Sequence, residues 1–273
     1  MKHSFLDLYR EGHSPVHLLD ARIKLGLTLA FILTASLVPS GYWPGYAALL
    51  GLALAAIGLA AVPLRVALGR SLVAVPFALM AAASLPFVRP GRELASLLLG
   101  PWRLVVTLPG VVALAEVLAR SWLSVLVAGL LTATTPFPDL LAALQALGVP
   151  RLLVAVISFL YRYLFLLVDE AQRLARAREA RSACADGLRS DGHRARAGGT
   201  MAWRAQVLGG MVGSLFVRSY DRSERVYQAM LARGFDGVIR NPKRPRPALA
   251  QFGAALCVLV ALAAVVAAGY WKG

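Results

Sequence analysis

A chain of 273 residues with 58% hydrophobic and only 16% charged residues departs from soluble globular domains, which carry about 45–50% apolar and about 25% charged residues; a mean hydropathy of +0.65 points the same way, toward lipid. The net charge of +15 does not make the chain a nucleic-acid binder. Eight of its 29 Lys and Arg fall in 173–206 and eight more in 218–246, the clustering that membrane topology imposes on cytoplasmic loops, and no basic patch is interleaved with stacking aromatics.

Met1 to Pro15 is polar and mixed in charge, and the first apolar run starts only at Ile23 without a small-residue cleavage pattern, so no signal peptide is expected. His13 and His17 are four apart, but Pro15 between them argues against a helix and hence against a shared metal. Apolar runs then read as candidate spans at Ile23–Val38, Gly45–Val62, Leu72–Val88, Thr107–Ala133 and Ala248–Tyr270, measured against the roughly 20 residues that a spanning helix needs. Turn chemistry separates them: Pro39, Ser40 and Gly41; Pro63; Arg89, Pro90 and Gly91; Pro136 and Pro138. Pro76 and Pro109 fall within or at the ends of apolar runs, where a membrane helix tolerates a kink. Arg89–Arg103 reads as an interfacial hairpin, although its three arginines run against the topology described below. In the fourth span Glu116 and Arg120 stand at i,i+4, the favourable order for an intramembrane ion pair.

Residues 138–247 differ in kind. Asp139 follows Pro138 as a helix N-cap, opening a short amphipathic piece to Gly148. Leu152–Val168 is apolar and runs without a breaker into the Arg-rich Gln172–Ser182. It is long enough to cross but is expected to slant along or just into the membrane. A second long helix runs from about Met201 to Arg233, and its apolar interval between Arg204 and Arg218 is too short to span. Gly209, Gly210, Gly213 and Ser214 place small residues at i and i+4, which suits close helix crossing. Asp169 and Glu170 read as neighbours of a basic helix. The organisation is therefore a four-helix N-terminal membrane region (1–137), a cytoplasmic or interfacial segment (138–247) and a C-terminal membrane helix (248–273). Arg22 and Lys24 before the first span, and Arg65 and Arg70 after the second, put the N-terminus and 138–247 in the cytoplasm.

The two long helices end alike. Ala180, Arg181 and Ser182 are followed by Asp186 and Gly187; Ala232, Arg233 and Gly234 are followed by Asp236 and Gly237. A helical run meeting a glycine-containing stop is a C-terminal signature, and positive charge there is favoured by the helix dipole. Paired Arg-bearing ends suit two equivalent grooves on a dimeric partner, where a guanidinium donates forked hydrogen bonds.

These residues carry a resemblance. The chain resembles the transmembrane T component of energy-coupling factor transporters, the EcfT family, and its cobalt/nickel branch, CbiQ. That family carries two Ala-Arg-Gly-like coupling motifs, matched by Ala180, Arg181, Ser182 and by Ala232, Arg233, Gly234, with Ser182 in place of glycine. The lead-in Asp221–Leu231 and the N-terminal Leu19–Leu25 are similar to the family as well, though Ala21 stands where proline is common. The resemblance implies an all-α polytopic membrane protein of about five transmembrane helices with a cytoplasmic coupling domain of long crossed helices. It also implies two ATPase subunits that hold ATP and Mg and bind the tips, a substrate-capture membrane subunit, a small accessory membrane subunit, and cobalt as cargo, with nickel or a vitamin as alternatives. An ion-coupled transporter using Glu116 and Arg120 is the reading from another class.

The chain has no GxxxxGK[ST] loop around Lys2, Lys24, Lys243 or Lys272, so its energy must come from a partner or an ion gradient. His3, His13, His17 and His193 all fall outside the expected spans, and no Gly-x-Ser-x-Gly or His-Glu-x-x-His pattern occurs. No bound metal and no catalysis are expected of this chain alone. Cys184 and Cys257 form neither a disulfide framework nor a metal cluster.

Overall fold

The computed structural model describes residue 12 and residues 14–99, 102–182, 201–236 and 249–272. Two compact units emerge, one of residues 1–148 with 242–273 and one of residues 149–241.

The first unit begins with a single turn, α1 (Pro15–Leu18), capped by Ser14, whose hydroxyl lies 2.6 Å from His17 Nδ1. Pro15 opens this turn at a position where the helix has no N–H to lose. Asp20 caps α2 (Ala21–Leu37) by accepting from Arg22 N at 2.9 Å. Next comes α3 (Trp43–Leu59). At 17 residues each, α2 and α3 stand at the short end of the spanning range.

The third apolar rod starts earlier than the sequence indicated and is broken twice, into α4 (Leu64–Ser71), α5 (Ala74–Ala82) and α6 (Leu85–Val88). Each break lies just before a proline, Pro76 or Pro86, whose ring clashes with the carbonyl four residues back and removes a donor. The expected interfacial hairpin is a β-hairpin: β1 (Glu93–Leu99) pairs antiparallel with β2 (Trp102–Thr107), Leu97 opposite Leu104. These are the strands of an otherwise helical set of described residues.

α7 (Leu108–Thr134) carries Pro109 harmlessly in its first turn, and α8 (Phe137–Ala146) follows. Asp139 does not cap α8. Pro136 holds the N-cap position and Asp139 lies inside the first turn, where a carboxylate still favours the positive end of the dipole. α8 packs on α2, with Ala143, Leu140 and Leu144 against Ala21, Leu25 and Leu131. α11 (Leu249–Lys272) completes the unit against α2 and α3.

Phe31, Ala35, Val38, Tyr46, Leu49, Ala53, Ile57, Leu123, Leu126 and Leu262 form the central core, contributed by α2, α3, α7 and α11. The outward faces stay apolar: Phe77, Met80, Leu256 and Val260 are all exposed. Exposed large apolar side chains in such number suit lipid rather than water.

The second unit consists of α9 (Arg151–Ser182) and α10 (Met201–Ala232). Among the described residues, four helical stretches are long and apolar enough to cross a membrane: Leu64–Val88, Leu108–Thr134, Arg151–Ala180 and Gln251–Trp271. Arg151–Ala180 therefore has spanning length and composition, beyond the slanting segment that the sequence led us to expect.

Candidate functional site

α9 and α10 are each 32 residues, rods of about 48 Å at 1.5 Å per residue. They meet across a sparse interface. A short polar contact joins Glu170 to Arg218, Oε1 to Nη1 at 2.7 Å, while Arg173 Nη1 reaches the other carboxylate oxygen at 3.8 Å. Glu170 is 25% exposed and Arg218 58%. A pair this wet is worth only about 0–1 kcal/mol, so its consequence is geometric rather than energetic.

Two grooves flank the pair. On one side Tyr163, Leu167, Leu215 and Tyr220 line about 610 Å³; on the other Leu174, Arg178, Trp203, Gly210 and Ser214 line about 760 Å³. Glu170 and Arg218 border both. Moving up α9 from 163 to 178, the facing residues on α10 descend from 225 to 203. The rods are antiparallel.

That orientation separates the two arginine motifs. Ala180, Arg181 and Ser182 form the final residues of α9, with Arg181 about 16 Å along the rod from Glu170. Arg233 lies just past the last residue of α10, about 22 Å along its rod from Arg218. The two motifs stand at opposite ends of the crossing. Asp186, Gly187, Gly237 and Cys184 lie outside the described residues.

The second motif has a defined stop. Phe235 N donates to Met230 O at 3.0 Å and Gly234 N to Leu231 O at 2.9 Å, with Gly234 at φ +76°. This is the Schellman arrangement, in which a left-handed residue ties back otherwise orphaned carbonyls. It leaves Arg233 at the C-cap, exposed beside the negative end of the helix.

Gly209, Gly210 and Gly213 do not mediate close crossing within this chain. A Cβ on any of them meets nothing within 4 Å. Gly210 and Ser214 instead line the wider groove.

Glu116 and Arg120 are likewise redirected. They form no ion pair with each other among the described residues. Glu116, 4% exposed, accepts from Gly41 N at 2.5 Å. Arg120 donates to Tyr46 Oη at 2.6 Å and to Val38 O at 2.7 Å, its guanidinium 5.8 Å from the Tyr46 ring centroid. Both side chains reach from α7 to the α2–α3 turn, where the C-cap carbonyl and a turn N–H lack helical partners. The turn satisfies each charge better than a flexible i,i+4 pair would.

Among the described residues no group of three His, Cys, Asp or Glu is placed to hold a metal. Sequence reasoning missed the Glu170–Arg218 contact, since a pair 48 residues apart leaves no local spacing signal. It also missed Lys24, read as a topology charge but 8% exposed and bonded inside the first unit.

Residues 12–245 match the family CbiQ, cobalt transport protein. The chain belongs to the CbiQ family. Similar proteins include a putative fused cobalt transport protein CbiMQ from Methanocorpusculum labreanum, 27% identical over 250 residues, 88% of this chain and 39% of that protein. The nickel permease LarQ of Lactiplantibacillus plantarum is 33% identical over 104 residues, 38% of this chain and 33% of LarQ. The energy-coupling factor transporter transmembrane protein EcfT of Leuconostoc gelidum is 25% identical over 252 residues, 89% of this chain and 88% of EcfT. This chain thus spans less than half the length of the fused relative it matches. Both arginine motifs, α9 and α10 fall within the CbiQ match.

Proposed function

We propose that this CbiQ-family chain is the energy-coupling membrane subunit of an ATP-driven cobalt uptake transporter in the cytoplasmic membrane, with nickel as the alternative ion. One observation carries the reading: two stiff antiparallel helices end in Arg181 and Arg233 at opposite ends of a single crossing. Two similar cationic knobs a fixed distance apart fit two equivalent acidic or carbonyl-lined grooves on a pair of ATPase subunits, through charge-assisted forked hydrogen bonds.

In this reading the partner ATPases hold ATP and Mg, and their closing and opening drives the knobs. The rods pass that motion to a substrate-capture membrane subunit, joined by a small accessory membrane subunit. The names CbiMQ, LarQ and EcfT among the relatives support cobalt or nickel cargo and the coupling role. The second reading, an ion-coupled transporter using Glu116 and Arg120, is disfavoured because both groups are occupied in holding the α2–α3 turn.

The test is uptake of labelled cobalt, together with co-purification of the ATPase subunits, for Arg181→Glu/Arg233→Glu. Normal insertion with loss of both uptake and ATPase capture is expected. Unchanged uptake and capture would end the coupling assignment.

A further inference from the structure

We infer that the wider groove between α9 and α10 binds an anionic phospholipid, its phosphate held by Arg173 and Arg178 and its first acyl methylenes laid along the apolar wall. Such a site requires only that the chain lies in a membrane, so it goes beyond the coupling function and does not depend on it. The groove is unevenly charged: Arg173, Arg178 and Arg218 line it against a single carboxylate, Glu170. That carboxylate is engaged by Arg218 at 2.7 Å and reaches Arg173 only at 3.8 Å. The narrower groove is closer to neutral, because Asp221 joins Glu170 there against Arg218, Arg222 and Arg225.

Arg178 is not a freely solvated surface cation. The residue is half-buried, its Nε is buried without a hydrogen-bond partner, and among the described residues no carboxylate pairs with it. A guanidinium in such a place is stabilised by an anion, and its planar fork matches a phosphate. The rest of the lining is apolar. Leu174 and Ala177 of α9, with Val207 and Met211 of α10, border about 760 Å³, and Trp203 stands in the same lining, 42% exposed. A free phosphate gains nothing from that wall, whereas a phospholipid carries phosphate and hydrocarbon joined together. Position along α9 fits the same ligand. Leu152, Leu153, Val156 and Leu160 are exposed at the start of the rod. The ring pairs Phe159–Tyr163 and Tyr161–Phe165 follow, and Tyr collects at membrane–water boundaries. Arg173 comes about 15 Å beyond Tyr163 along the rod, on the polar side of that boundary, where anionic lipids attract juxtamembrane cations. Gly210 leaves the space open, since a Cβ there meets nothing within 4 Å. A side chain added at Gly210 therefore enters the groove before it meets protein.

The experiment is lipid retention by the full chain. The chain is reconstituted into bilayer discs holding phosphatidylcholine and phosphatidylglycerol in equal amounts, released into mild detergent and weighed intact by native mass spectrometry. Preferential retention of phosphatidylglycerol is expected. Arg178→Gln is expected to lower that preference about tenfold, the scale of one lost charge-assisted hydrogen bond. Gly210→Leu, which removes no charge, is expected to lower it comparably while the unfolding midpoint holds. Arg176→Gln, at an exposed position of α9 outside the groove, is expected to leave it intact, and so is Arg233→Glu, which probes coupling instead. Equal retention of the two lipids by the original chain would overturn the site. So would a preference untouched by both Arg178→Gln and Gly210→Leu, or one lowered as much by Arg176→Gln as by Arg178→Gln. Displacement of the lipid by inorganic phosphate would replace it with a free-anion site. Loss of the lipid on assembly with the partner subunits, with Gly210→Leu blocking that assembly, would replace it with a protein interface.

Discussion

Lys24 on α2 donates from Nζ to the carbonyl oxygen of Thr134, 3.1 Å away at the C-terminal end of α7, and this buried amine also reaches His17 O at 3.3 Å and Thr135 Oγ1 at 3.4 Å. The last carbonyls of a helix have no partner within it, and a cation there also meets the negative end of the dipole. One side chain thereby closes α7 and ties it to α1 and α2. Lys24→Met is expected to leave these acceptors unsatisfied and destabilise the first unit by about 1–3 kcal/mol. A lower thermal-unfolding midpoint in detergent is the readout; an unchanged midpoint would mean that the amine contributes nothing net.

Glu116→Gln keeps a carbonyl oxygen where Gly41 N donates. Uptake and unfolding midpoint are therefore expected to stay near those of the original chain. Glu116→Leu removes the acceptor and is expected to cost about 1–3 kcal/mol. Abolished uptake in Glu116→Gln, with the fold intact, would instead revive the ion-coupled reading.

Gly110 faces backbone. A Cβ there would stand 2.6 Å from both Leu85 O and Pro86 Cα, and neither atom belongs to a flexible side chain. Gly110→Ala is expected to force α6 away from α7 at a cost of about 1–3 kcal/mol, seen as a reduced midpoint and a lower yield of folded protein.

A glycine within α10 and one just beyond it should respond in opposite senses. Gly234 occupies φ +76°, so Gly234→Val strains the stop, and faster amide exchange at Gly234 and Phe235 with weaker ATPase capture is expected. Gly209 has helical neighbours and open space. Gly209→Ala is expected to stabilise α10 by up to about 1 kcal/mol through helix propensity. If Gly209→Ala were strongly destabilising, the open interface described for the rods would be wrong.

Much of the fold was legible in the order of apolar runs and breakers. Pro39 to Gly41 and Pro136 fall at helix ends as read, and Met201–Ala232 ends within one residue of the expected limit. The second arginine motif lies at a helix terminus, where Ala-Arg-Gly is a local C-terminal signal. The β-hairpin was missed as a hairpin of strands, since a run such as Glu93–Leu99 has no periodicity that separates a short strand from a short helix. Glu116 and Arg120 were misread because helical spacing shows which charges are neighbours, not which competing acceptors a neighbouring turn offers.

Composition and periodicity alone determined a membrane-embedded helical chain with two long basic rods and an arginine at the end of each, because hydropathy, helix stops and charge clustering are properties of contiguous residues. The tertiary structure decided that the rods run antiparallel, that they touch through Glu170 and Arg218, and that Lys24, Glu116 and Arg120 serve helix ends and a turn. Those contacts join residues 48 to 110 positions apart. Their partners are selected by which backbone groups folding leaves unsatisfied at one place in space, and no local pattern encodes that.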